Sequence, residues 1–133
     1  MKKNKQLIYN KGNGDCFRAC LASILNWDND PKLPNIDDKN WLIKWGKILE
    51  PYGMRLEFDF DKSWSGGYWI ASVKSKNFKG QTHAIVMNEM KVAFDPSPKK
   101  KYRIGQSLIG KNVICGRWVL IVTDTNKIFP NLK

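Results

Sequence analysis

The spacing of apolar residues changes period once along this chain, and that change limits the folds open to it. Phe17, Cys20, Leu21, Ile24 and Leu25, and later Trp41, Trp45, Ile48 and Leu49, recur at three- and four-residue intervals. That is the spacing of one face of an α-helix. After Pro51-Tyr52-Gly53 the interval drops to two, with Met54, Leu56, Phe58 and Phe60 alternating with Arg55, Glu57 and Asp59. Such alternation marks a half-buried strand. The first helix is predicted to end near Asn26, before a loop holding Pro31 and Pro34, and the second to run from Asp37 or Asp38 to Leu49. Further strands are predicted over 68–73, 82–87, 91–95 and 117–123, with a short one near Val113. A tight turn at Asn88-Glu89 or Glu89-Met90 makes a hairpin of two of them, and Pro96 ends it because proline donates nothing to a ladder. Two helices followed by a mostly antiparallel sheet define an α+β fold.

A chain of 133 residues suits one domain, 1–133. Its 42% apolar and 12% aromatic content excludes a disordered chain, which could not bury enough surface to offset its ordering entropy. The longest apolar runs, 84–87 and 118–122, are strand-length and far short of a bilayer span, so no membrane partner is expected. The basic opening Met1-Lys2-Lys3-Asn4-Lys5-Gln6 is followed only by Leu7, Ile8 and Tyr9, without the apolar stretch of a secretory signal. Three cysteines, an odd number, fit a reducing compartment, and the expected location is cytoplasmic.

Lys and Arg number 23 against 12 Asp and Glu, a formal +11, which attracts anions such as nucleic acid or acidic proteins. Along the sequence the surplus is spread out: Lys2, Lys3 and Lys5 at one end, Lys99, Lys100 and Lys101 in a loop, the rest scattered. Short lysine runs of this kind read as solvated loops, and nucleic acid is not the favoured partner. Trp64, Tyr68, Trp69 and Tyr102 mix with lysines, but most of them sit at core-like positions rather than on one stacking platform, and Trp64 with Ser65-Gly66-Gly67 is expected to border a substrate groove.

Cys16 follows Gly14-Asp15 at the first turn of the first predicted helix. The unpaired N–H groups and dipole of a helix N-terminus favour an anion there. Asp15 is expected to cap the same N–H groups with its carboxylate. The only histidine, His83, opens one predicted strand and Asp95 closes the next. A hairpin would bring both to one sheet edge, where a carboxylate can orient an imidazole. Thiolate, imidazole and carboxylate are the minimum for nucleophilic acyl transfer. Cys20 and Cys115 read as buried packing. The alternative is a zinc site from Cys16, Cys20, Cys115 and His83, a workable Cys3His ligand set without a tight Cys-x-x-Cys pair.

The segment from Asn10 through Gly14-Asp15-Cys16 to Ala19-Cys20, together with Thr82-His83-Ala84-Ile85-Val86 and Phe94-Asp95-Pro96, resembles a minimal papain-like cysteine peptidase. In layout it is similar to the peptidase domain of bacteriocin-exporting transporters, which cleaves after double-glycine leaders, and to small papain-like proteins encoded by bacteriophages. The resemblance implies a papain-like fold with an N-terminal cysteine helix and a second helix packed on the sheet. It implies a peptidase or isopeptidase acting on a protein or peptide, with Cys16 as nucleophile, His83 as base, Asp95 as orienter and no metal or organic cofactor. The family's oxyanion glutamine falls on Asn10, which carries the same amide on a side chain one methylene shorter. The second reading is a catalytically silent module of the same fold, binding an acidic host protein or nucleic acid through its basic surface.

Overall fold

The computed structural model describes residues 1–9 and 14–127. Helix α1, Cys16–Leu25, closes on Asn26, whose left-handed backbone (φ 62°) aims its N–H at the carbonyls of Ala22 and Ser23. Helix α2, Trp41–Leu49, begins later than its sequence predicts. The Asp38 carboxylate accepts the Asn35 N–H at 2.8 Å, and Asn40 stands at φ 58°. The chain therefore turns twice before it can coil. A 3₁₀ turn, Glu50–Tyr52, carries the chain to Gly53 at φ 70°. A Cβ there would overlap the Asp124 carbonyl oxygen, so glycine is required for both its conformation and its small size.

Five strands follow: β1 (Met54–Asp59), β2 (Tyr68–Lys74), β3 (Thr82–Asn88), β4 (Lys91–Phe94) and β5 (Ile114–Val122). They form one sheet in the order β1-β5-β2-β3-β4, and every neighbouring pair is antiparallel. The fold is α+β. The β3–β4 turn is Glu89-Met90, with Glu89 at φ 52°. Among the described residues no helix is long and apolar enough to cross a membrane.

Alternation along the strands splits the core in two. Ile70, Ala84, Val86 and Phe94 meet Phe17, Leu21, Trp45 and Leu49 of the helices. Trp69, Ile85, Met87 and Val92 face the other way, where Tyr102 and Leu108 of the 95–113 connection cover them. Phe58 and Phe60 depart from the half-buried expectation at 41% and 79% exposed. The helix-side core takes in Met54 and Leu56, but the edge strand runs past it, so the two rings pack on each other and Phe58 also packs on Trp118.

Two bulges break the ladder. In one, Ser72 pairs with Gly116 but Val73 with Ile114, which leaves Cys115 as the extra residue. Cys115 is accordingly exposed rather than packed inside, because a bulged residue opposes no partner. In the other, Met87 pairs with Val92 but Val86 with Phe94, making Ala93 the extra residue. The second bulge positions the site.

Candidate active site

Three elements converge at one end of the sheet: the start of α1 with Cys16, the start of β3 with His83, and the exit of β4 with Asp95. The hairpin register alone would not place Asp95 correctly. Continued without interruption from Met87–Val92, it would set Asp95 opposite Ala84, on the helix face. The Ala93 bulge advances the register by one residue and turns Asp95 to the face of Ile85 and His83, since one step flips every side chain. His83 Nε2 then donates to Asp95 Oδ1 at 2.7 Å. Asp95 is almost wholly buried, at 1% of side-chain exposure, and His83 nearly so at 13%.

Asp95 also serves as a turn residue. Its Oδ1 accepts the Ser97 N–H at 3.0 Å, the usual Asx turn after a strand. Its Oδ2 accepts the N–H groups of Lys101 and Tyr102, both at 3.3 Å. Burial pushes its carboxyl up, but His83 and the Ser97 and Tyr102 amides outweigh that and hold it below the carboxylate norm. For His83, burial pushes the pKa down. The hydrogen bonds to Asp95 and to Cys16, with the charges of both, overcome it and raise the value from 6.5 to about 9. Both partners favour the charged form of the ring. With Nε2 committed to Asp95, Nδ1 is the nitrogen left for Cys16.

Cys16 is half-buried, and its sulfur accepts the Ala84 N–H at 3.4 Å, which ties it to the strand residue after His83. As the first residue of α1 it lies among N–H groups without intrahelical acceptors. Asp15 does not cap the helix with its side chain. Its buried carboxylate accepts the Leu7 and Ile8 amides at 2.9–3.0 Å, the Arg18 guanidinium at 2.8 Å and the Asn29 amide at 3.0 Å. Burial works against its charge, but these donors hold its carboxyl below the usual range. The role is structural: Asp15 clamps the lead-in segment and the 26–31 loop around the turn that presents Cys16. The partners Arg18 and Asn29 carry no sequence signal, because their juxtaposition with Asp15 depends on the loop's return.

A cavity of about 130 Å³ opens onto Cys16 and His83, with Gln6, Tyr9, Phe78 and Ser75 among its walls. Tyr9 and Phe78 pack at 5.1 Å between ring centroids. Gln6 is a residue that sequence reasoning missed, hidden in the basic opening. Its backbone N–H pairs with the Pro96 carbonyl at 2.9 Å, which brings it beside the Asp95 turn. Its Nε2 donates to the Ile8 carbonyl at 3.1 Å, leaving that amide's second N–H to give. Asn10, the expected amide donor, lies outside the described residues.

The other candidates do not join this site. Trp64 packs with the second core, and Arg117 stacks over its ring. Tyr68, just after Gly66-Gly67, pairs with Asn88 at the far end of β3, about 17 Å along the strand from His83. Trp64 with Ser65-Gly66-Gly67 therefore does not border the cavity. Cys20 is fully buried, and burial, with Cys16, Asp95 and Asp15 nearby, pushes its thiol well up. Among the described residues no group of three or more His, Cys, Asp or Glu side chains could hold a metal ion, and exposed Cys115 leaves the Cys3His set unassembled. Neither a family model, a curated protein nor a solved structure matches the chain.

Proposed function

We propose that the chain is a papain-like thiol hydrolase that cleaves an amide bond in a protein or peptide through Cys16, His83 and Asp95. The single observation that carries this reading is that the only histidine is held by a buried carboxylate and lines one cavity with Cys16, whose sulfur accepts the N–H of the next residue, Ala84. A structural histidine needs one partner. A histidine between carboxylate and half-exposed thiol, facing a cavity, has the arrangement of a nucleophile, its base and an orienter.

In the proposed reaction the Cys16 thiolate, paired with the His83 imidazolium, attacks the carbonyl carbon. The C–S bond forms as the carbonyl π pair moves to oxygen. The oxyanion receives the Cys16 N–H and a side-chain amide, a role assigned to Gln6 because it lines the same cavity. Collapse breaks the C–N bond, and the imidazolium proton goes to the leaving amine. His83, now neutral, takes a proton from water, the hydroxide displaces sulfur from the thioester, and a carboxylic acid leaves. Asp95 keeps the ring oriented and balances its charge in both halves.

Alkylation by iodoacetamide at pH 6, read by peptide mass spectrometry, tests the pairing within one molecule. Cys16 is expected to react at least about tenfold faster than exposed Cys115, because an ordinary thiol is almost wholly protonated there. His83→Ala is expected to abolish the difference. Equal rates in the wild type would overturn the proposal. Against a peptide substrate library, Gln6→Ala is expected to lower kcat about a hundredfold or more, the usual cost of one oxyanion donor.

A further inference from the structure

The fold gathers into one pocket two basic runs that stand almost a hundred residues apart. A pocket of about 450 Å³ lies beside the exit of β4, and Lys3, Lys5, Lys100 and Arg103 surround it. None of the four forms an ion pair among the described residues. The pocket's one acid is Asp95, and its carboxylate is already occupied by His83 and three backbone N–H groups. Lys100 is held in place: its Nζ donates to the Asp95 carbonyl at 2.6 Å and sits 4.6 Å from the centre of the Phe94 ring. Burial, and then the neighbouring charges of Lys5 and Lys3, push its pKa down despite Asp95. Cations pressed together in this way repel one another unless an anion joins them.

The walls between the cations are apolar. Phe94 and Tyr102 are buried at 4% and 2%, whereas Ile104 is 63% exposed and open to solvent at the mouth. A site with a charged rim and an apolar wall recognises a ligand with a multiply charged end and a flat apolar body. We infer that this pocket binds a nucleotide, with a di- or triphosphate bridging Lys3, Lys5, Lys100 and Arg103 and the base against Ile104. A single phosphate would leave the four cations under-neutralised, whereas a di- or triphosphate matches them. The volume lies within the range of small-molecule sites. The site is separate from the thiol cavity and does not rest on the hydrolase reading. The same chemistry can reach the pocket from free nucleotides or from a nucleic-acid strand.

Isothermal titration calorimetry of the full chain with ADP, ATP, adenosine and a twelve-nucleotide single-stranded DNA tests the inference. Saturable binding of ADP and ATP is expected, with adenosine bound at least about tenfold more weakly, since each lost charge-assisted contact costs that much or more. Lys100→Gln and Arg103→Gln are each expected to weaken binding about tenfold. Lys47→Gln, on α2 over the opposite edge of the sheet, is expected to leave it unchanged, as is Cys16→Ser. ADP and ATP bound better than DNA place the source in the free pool, and DNA bound better, with the same two variants weakened, places it in nucleic acid. No saturable binding of any phosphate ligand would overturn the site. Equal weakening by Lys47→Gln would overturn it as well, because that result means diffuse attraction to net charge. Lys47, Lys100 and Arg103 are exposed and Cys16 half-buried, and far-UV circular dichroism and urea midpoints of every variant confirm folding before the titrations are compared.

Discussion

Replacing Asp95 by Asn removes the charge that faces His83 while keeping the shape of the side chain. In the wild type, burial pushes the His83 pKa down, but the Asp95 and Cys16 interactions lift it from 6.5 to about 9. The folded protein therefore holds this proton more tightly than the unfolded chain does. At about 1.4 kcal/mol per pH unit, the lift contributes about 3 kcal/mol of stability, present in full below pH 6.5 and lost as pH rises through about 9. The ring is mostly shielded from solvent, so screening takes little from that figure. In Asp95→Asn the burial penalty stays and the main compensation goes. The ring's midpoint is then expected to fall by two pH units or more. Because the chain has one histidine, its Hε1–Cε1 NMR signal follows the titration without an assignment problem. Urea unfolding at pH 6 and pH 9.5 gives the second readout: the stability gap between wild type and variant should narrow by about 3 kcal/mol from the lower pH to the higher. A wild-type midpoint near 6.5, or one still near 9 in the variant, would refute the claim that Asp95 charges this histidine.

Asp95 itself acts at the opposite end of the scale: its lowered pKa stabilises the fold above pH about 4, and that contribution is lost as acid protonates the carboxylate, visible as a steeper acid-unfolding limb in the wild type than in Asp95→Asn. Asp15→Ala strips the buried Arg18 of its ion pair, and the loss expected in urea unfolding is about 3–5 kcal/mol, the cost of leaving one buried charge alone. Gly53→Ala meets both a left-handed backbone and the Asp124 carbonyl; at least about 2 kcal/mol of destabilisation by thermal melting is expected. With Ellman's reagent, Cys16 and Cys115 should react in the native protein and Cys20 only after unfolding, so two thiols before denaturant and three after it check the burial pattern.

The elements of this protein, and the side chains worth suspecting, are legible in its sequence, because both are local properties. Apolar spacing follows the pitch of the backbone, so Phe17 to Leu25 had to share a helix face and Tyr68 to Val73 had to alternate across a sheet. A cysteine behind Gly-Asp, a lone histidine and an Asp-Pro strand end likewise stand out within a few residues of chain. Local spacing failed where a side chain found a distant use. Asp15 and Asp38 carry the signals of helix starts, yet their carboxylates serve the lead-in segment and the Asn35 turn. Only the tertiary structure decided what meets what. One extra residue, Ala93, settles whether Asp95 faces His83 or the helices, and one more, Cys115, sends a thiol outward. The return of the chain past β4 sets Gln6 beside the thiol cavity and gathers Lys3, Lys5, Lys100 and Arg103 from separate runs into one pocket. A ladder transmits a single-residue slip to every later side chain, and the cost of that slip lies in contacts with distant residues, which no window of sequence contains.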